Sequence, residues 1–234
     1  SEDPDSVLVA TVTLDGPDLD EPLLAAVRTR HGVSEIHLHR LSNGQFVRAI
    51  ELPGAGTIGA ISERPEGGPE MWFSYTDHVR QSSVFRFDAR DFSVTQWATP
   101  PGAVSVPAVL SQQVEYVSKD GTVVRMFIVS PADNVSGPRP TILYGYGGFG
   151  ISLNPQFSAE ILSWVEAGGV YAVANIRGGG EEGEEWHRAG MFGNKQNVFD
   201  DFECAAEWLI THGVTTRAQL GIAGGSNGGL LVGA

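Results

Sequence analysis

The chain has 234 residues, with 15 Lys and Arg against 28 Asp and Glu, a formal net charge of −13 at pH 7. That balance argues against nucleic acid as a partner, because a phosphate backbone requires a cationic footprint. Hydrophobic residues at 41% and charged residues at 18% match soluble globular chains, and the length suffices for one large domain or two modest ones, so global disorder is excluded.

Glycine is in excess, 30 residues or about 13% against the usual ~7%. The single cysteine, Cys204, cannot close an internal disulfide, which fits a reducing, cytoplasmic setting and leaves a periplasmic or secreted one open. No apolar run approaches the ~18 residues of a membrane span, and no basic segment precedes an apolar stretch at the N-terminus, so neither anchor nor signal is expected. The chain opens at Ser1 and stops at Ala234 inside an apolar run, which suggests a fragment.

From Val7 to about Leu110 the pattern is one of short alternating segments: Val7 to Val12, Leu23 to Thr29, Glu35 to Leu41, Met71 to Tyr75, Val84 to Phe87 and Ser93 to Trp97. Turn residues such as Ser42-Asn43-Gly44 and Asp88-Ala89-Arg90-Asp91 separate them, as in antiparallel strands joined by tight turns. A sandwich or the blades of a propeller is predicted, although no internal repeat marks the blades.

After Leu110 the texture changes. Gln113 to Val129 predicts a strand pair turning at Lys119-Asp120-Gly121, and a linker-like stretch from Ser130 to Pro140 leads to a short buried strand, Thr141 to Tyr144. Phe157 to Ala167 has helical spacing and stops at Gly168-Gly169, and Val170 to Ile176 reads as a buried strand. A second helix is predicted over Asn197 to His212, with Val198, Phe202, Ala205 or Ala206 and Leu209 on its apolar face, and Leu220 to Ala223 is a last short strand. Strand, helix, strand, helix, strand implies a parallel sheet with crossover helices.

That last strand runs into Gly224-Gly225-Ser226-Asn227-Gly228-Gly229, followed by Leu230-Leu231-Val232. The string is G-x-S-x-G at a strand-to-helix turn, the setting in which a serine hydroxyl is presented above a sheet edge. Side chains two residues either side of such a serine would collide, hence glycine. The backbone N–H after the serine and the following helix then favour a developing oxyanion. Gly145-Tyr146-Gly147-Gly148-Phe149-Gly150 satisfies a dinucleotide fingerprint, but no helix opens at its third glycine and the next strand ends in Asn175-Ile176-Arg177 rather than an acidic residue. The alternative is a loop at the sheet's carboxyl edge that supplies a second oxyanion donor, with Tyr146 offering its phenol.

Other residues have blander readings. His187, after Trp186, is expected in a loop as a structural or surface histidine. His37 and His39 share a strand face without a third metal ligand in reach. Cys204 is expected to be a small buried hydrophobe. The acidic run Glu181, Glu182, Glu184, Glu185 reads as a solvated loop, and Asp200 and Asp201 as negative charge in a helix's first turn. Arg177 either clamps a carboxylate or ties the loop at the sheet edge.

Four motifs in order resemble the prolyl oligopeptidase family of serine peptidases: Tyr144 to Phe149, Ala174 to Glu181, Asn194 to Asn197 with Phe199 to Phe202, and Gly224 to Gly229. The match covers about residues 113 to 234, and the Ser-Asn elbow resembles the prolyl-specific branch. The resemblance implies an all-β segment over 1–110, the last blades of a β-propeller. It also implies the N-terminal half of an α/β-hydrolase peptidase domain over 111–234, with a parallel-rich sheet and flanking helices. It further implies Ser226 as nucleophile, the Asn227 N–H and the Tyr146 hydroxyl as oxyanion hole, and Phe149 beside the substrate proline. Short proline-containing peptides would be the substrates, cleaved on the carboxyl side of proline through an acyl-enzyme. No metal or organic cofactor and no membrane partner are implied, and the full-length protein would be a monomer. In this fold the acid and base follow the serine, yet neither Asp nor His occurs after Ser226, so the 234 residues alone are expected to be inactive. Another α/β hydrolase, such as an esterase or acylaminoacyl peptidase, and a non-catalytic interaction module on the same scaffold are the rival readings.

Overall fold

The computed structural model describes residues 6–102, 105–133 and 136–234, so positions 134–135 of the expected linker lie outside the described residues. The chain divides into two compact units, residues 1–104 with 154–157 and residues 105–153 with 158–234. No helix of the described residues is long and apolar enough to cross a membrane.

The first unit is two sequential antiparallel meanders. One comprises β1 (Val7–Leu14), β2 (Leu23–Arg30), β3 (Val33–Arg40) and β4 (Phe46–Ile50); the other comprises β5 (Thr57–Glu63), β6 (Glu70–Thr76), β7 (Ser83–Asp88) and β8 (Ser93–Ala98). No closed propeller is formed among the described residues. Alternation fills the core: Ile36 and Leu38 of β3 and Met71, Phe73 and Tyr75 of β6 are buried in one cluster with Leu14, Val27 and Phe87. His37 and His39 point to the other face of β3. Phe46 lies against both rings, at centroid distances of 5.5 and 5.7 Å, and Glu35 sits 3.1 Å from His37 Nε2.

β4 and β5 escaped the alternating pattern. Both are edge strands, and the register of β5 shifts between Ile58 and Ile61 around Gly59, where the Ser74 hydroxyl accepts from Ala60 N at 2.9 Å. A bulge breaks a period-2 pattern by inserting residues without partners.

A pH dependence is built into this unit. His78 is buried, and burial lowers its pKa to about 4 against an opposing pull from Asp77. Since the folded-state value lies below the ordinary one, stability is unaffected above the unfolded pKa and falls as the pH drops toward the folded one. The expected loss is about 3 kcal/mol between pH ~6.5 and ~4. Urea denaturation across that window should show a flatter slope in His78→Gln; an unchanged slope would dismiss His78 as its source.

The second unit is a mixed sheet in the order β13-β11-β12-β10-β9. β9 (Val109–Val117) and β10 (Val123–Pro131) form the expected hairpin; β11 (Thr141–Tyr144) pairs in parallel with β12 (Val170–Asn175) and β13 (Leu220–Ala223), while β12 runs antiparallel to β10. Parallel pairing is thus confined to three strands joined by helical crossovers. Helix α1 (Ala159–Glu166) is capped by the Ser158 hydroxyl and buries Leu162 and Val165. A five-residue helix, α2 (Glu184–Arg188), and a single 3-10 turn at Phe192–Asn194 precede α3 (Gln196–Thr211). α3 buries Val198, Phe202, Ala205 and Leu209, with Asp201 on the same face. His187, expected in a loop, belongs to α2, which is too short to carry a readable periodicity. Cys204 is only partly buried at the edge of the core, where burial raises its thiol pKa.

Candidate active site

Strand β13 ends at Ala223, and α4 (Asn227–Gly233) begins one residue after Ser226. Ser226 is exposed and has φ 52° and ψ −114°. Such a backbone costs about 1–3 kcal/mol in a residue with a side chain and persists only where its surroundings impose it. Here the surroundings are two glycines: a Cβ at Gly224 would overlap the Gly228 carbonyl, and one at Gly228 would lie 2.5 Å from the Gly145 oxygen. The turn is closed so tightly that only hydrogen fits on either side, and the Ser226 side chain is pushed outward.

The Tyr144–Gly150 loop leaves the neighbouring strand and is stitched to this turn. Gly145 N donates to Ala223 O at 3.2 Å, and Asn227 Nδ2 donates to Tyr146 O at 2.5 Å. The residue after the serine therefore holds the backbone of the tyrosine. Tyr146 is partly exposed, and Phe149 is 76% exposed with φ 57°. Lys195, partly buried and with its pKa lowered by that burial, donates from Nζ to Gly147 O at 2.8 Å and fixes the loop from beneath.

The loop is braced on its other side by residues 177–183. Gly150 N donates to Gly178 O at 3.0 Å. Arg177 is 4% exposed and Asp201 0%. The Asp201 carboxylate accepts from Arg177 N at 3.0 Å, Arg177 Nη2 at 2.6 Å and the Ser118 hydroxyl at 2.6 Å, and Arg177 also reaches Asp120. Arg177 is thus a carboxylate clamp. The reading of Asp201 as a helix-dipole charge is corrected: its carboxylate is fully buried and neutralises a guanidinium. These partners are 24 residues apart, and no local pattern joins them.

The solvated-loop reading of the acidic run is also corrected at its first member. Glu181 is 2% exposed; burial raises its pKa, while hydrogen bonds from Leu153 N (2.8 Å) and Asn175 Nδ2 (3.2 Å) pull the other way. Glu182 pairs with Arg125, and Glu184 and Glu185 pair with Arg188 on the surface.

A cavity of about 270 Å³ opens beside the elbow, with Asn227, Phe149, His187 and Phe192 in its wall. His187 Nδ1 lies 3.0 Å from Gly178 O. Among the described residues, none hydrogen-bonds the Ser226 hydroxyl, His187 included.

The prolyl oligopeptidase family model matches residues 155–234. A prolyl endopeptidase of Elizabethkingia miricola is 44% identical over 193 residues, covering 82% of this chain and 27% of that protein. A structure from a study of two prolyl endopeptidases and the role of inter-domain dynamics in their catalysis and specificity superposes with a TM-score of 0.83 at 41% identity, over 98% of this chain and 32% of its own. Prolyl oligopeptidase B of Galerina marginata, bound to a 25mer macrocyclization substrate, gives a TM-score of 0.86 at 32% identity, over 99% of this chain and 32% of its own. The chain spans a third or less of the length of these relatives.

Proposed function

Since this chain belongs to the prolyl oligopeptidase family, we propose that it carries the nucleophile and oxyanion hole of a serine peptidase that cleaves short peptides on the carboxyl side of proline. The first unit is read as blades of a β-propeller, and the second as the first half of an α/β-hydrolase domain. The observation that carries the proposal is the strained, exposed Ser226 at a strand-to-helix turn, tied through Asn227 to the carbonyl of Tyr146.

In this reading the Ser226 hydroxyl attacks the carbonyl carbon of the proline residue while a general base takes its proton. Negative charge gathers on the carbonyl oxygen, where the Asn227 N–H and the Tyr146 hydroxyl donate to it and α4 adds the positive end of its dipole. The tetrahedral species collapses, the protonated base returns its proton to the departing amine, and water hydrolyses the acyl-serine with the same donors in place. Phe149 offers its exposed ring beside the proline. None of the described residues hydrogen-bonds the Ser226 hydroxyl, so no general base is assigned among them, and these residues by themselves are expected to hydrolyse no peptide.

In the full-length protein a fluorophosphonate should label Ser226, and proline-containing peptides should be cleaved in preference to aryl esters. Tyr146→Phe should lower kcat/KM about 10²- to 10³-fold, the usual cost of one oxyanion donor. An unchanged rate in that variant would remove Tyr146 from the mechanism, and faster turnover of aryl esters would point to an esterase.

A further inference from the structure

Three described residues of the second unit other than glycine have a left-handed backbone: Phe149 (φ 57°), Phe192 (φ 49°) and Ser226 (φ 52°). They gather at one place, since Phe149 and Phe192 line the same cavity as Asn227, the residue after Ser226. A bulky residue at positive φ is a genuine outlier, and such outliers cluster at ligand clamps. Phe192 is also 87% exposed, the most exposed large hydrophobic side chain described. A strained backbone that holds an aromatic ring in water serves no packing purpose.

The chemistry of the cavity is that of its carbon atoms. Besides the two phenylalanines, Met191 contributes to the wall, and one nitrogen of each of Lys195, His187 and Asn227 is engaged by a backbone carbonyl. Lys195 Nζ bonds Gly147 O, His187 Nδ1 lies against Gly178 O, and Asn227 Nδ2 bonds Tyr146 O. The cavity, about 270 Å³, lies at the small end of the roughly 300–1,000 Å³ of ligand sites, a size that suits a single side chain.

We propose that the Phe149–Phe192 cavity is a specificity subsite that takes an apolar side chain of the peptide substrate next to the proline, with Phe192 as its determining residue. The inference rests on Ser226 being the nucleophile, since that fixes where the peptide passes. Phe149, shared with the proline, forms one wall and Phe192 the other.

Two peptide series on the full-length protein test it, one varying the residue before the proline and one the residue after it, each from Gly to Leu to Phe. Phe192→Ala should raise KM about 10-fold for the Leu and Phe members of one series, leaving kcat and the glycine peptides unchanged, while Phe192→Leu restores most of the preference. The series that responds identifies the side of the scissile bond that the cavity serves. Equal effects on every peptide, or none in either series, would overturn the subsite. Failure to cleave even the glycine-flanked peptides would instead sink the proposed function. In that event calorimetry decides the subsite independently: a Ser226→Ala protein should bind the Leu-flanked peptide more tightly than a Ser226→Ala, Phe192→Ala protein does, and equal affinities would overturn it.

Discussion

Ser226→Ala in the full-length protein is expected to lower kcat by about 10⁶-fold while leaving KM for proline-containing peptides near its original value. The effect is large because, in the proposed mechanism, the hydroxyl is the atom that forms the covalent intermediate, and no other group in the described site is placed to replace it. KM should stay because the side chains to which the proposal assigns peptide binding, the Phe149 ring foremost, are untouched. Fold should be unaffected: alanine keeps the Cβ at φ 52°, and the Ser226 hydroxyl has no partner among the described residues to lose. Steady-state kinetics alongside a melting curve separate these outcomes. A variant that kept more than about a hundredth of the activity would be incompatible with a covalent serine mechanism.

The largest expected loss of stability lies away from that hydroxyl, at Asp201. Asp201→Ala removes the fully buried carboxylate and leaves Arg177, itself 4% exposed, with only the half-exposed Asp120 as counter-charge. Breaking one partner of a buried pair costs about 3–5 kcal/mol, because the remaining charge is stranded. That figure measures the stranding; the intact pair can be nearly neutral against an apolar replacement of both partners. The loss has a functional consequence. Arg177 begins the 177–183 segment, whose Gly178 carbonyl receives the Gly150 N–H from the loop that holds Tyr146 and Phe149. Urea denaturation of the full-length protein should show the shift, and Asp120→Ala, at the exposed end of the cluster, should cost about 1 kcal/mol or less. Equal losses in the two variants would mean that burial does not govern this cluster.

Among the strands and helices that were legible in the sequence, β2, β3, β6, β7 and α3 pack one face against a core. β2, β3, β6 and β7 alternate because one side is buried, and α3 showed its spacing of three and four for the same reason. β4, β5 and α2 gave no such signal. The first two lie at sheet edges, β5 with its register broken at Gly59, and α2 is shorter than two turns. Glu181 was misread for a related reason, since four acidic residues in sequence look alike until the fold buries one of them.

What the sequence by itself determined is everything whose cause is local: the serine between two glycines that admit no side chain, the loop of glycines and aromatics after a short strand, and the order of four motifs. The Gly224 constraint, set by the Gly228 carbonyl, is a contact between residues a few positions apart, so its steric requirement is written in adjacent letters. Tertiary structure alone decided that Arg177 meets Asp201, that Lys195 holds the Gly147 carbonyl, and that Phe149 and Phe192 face one cavity. Each of those pairs joins residues from 24 to 48 positions apart. Their proximity follows from the stacking of α3 and the sheet, a collective result of hydrophobic burial that no short stretch of chain encodes.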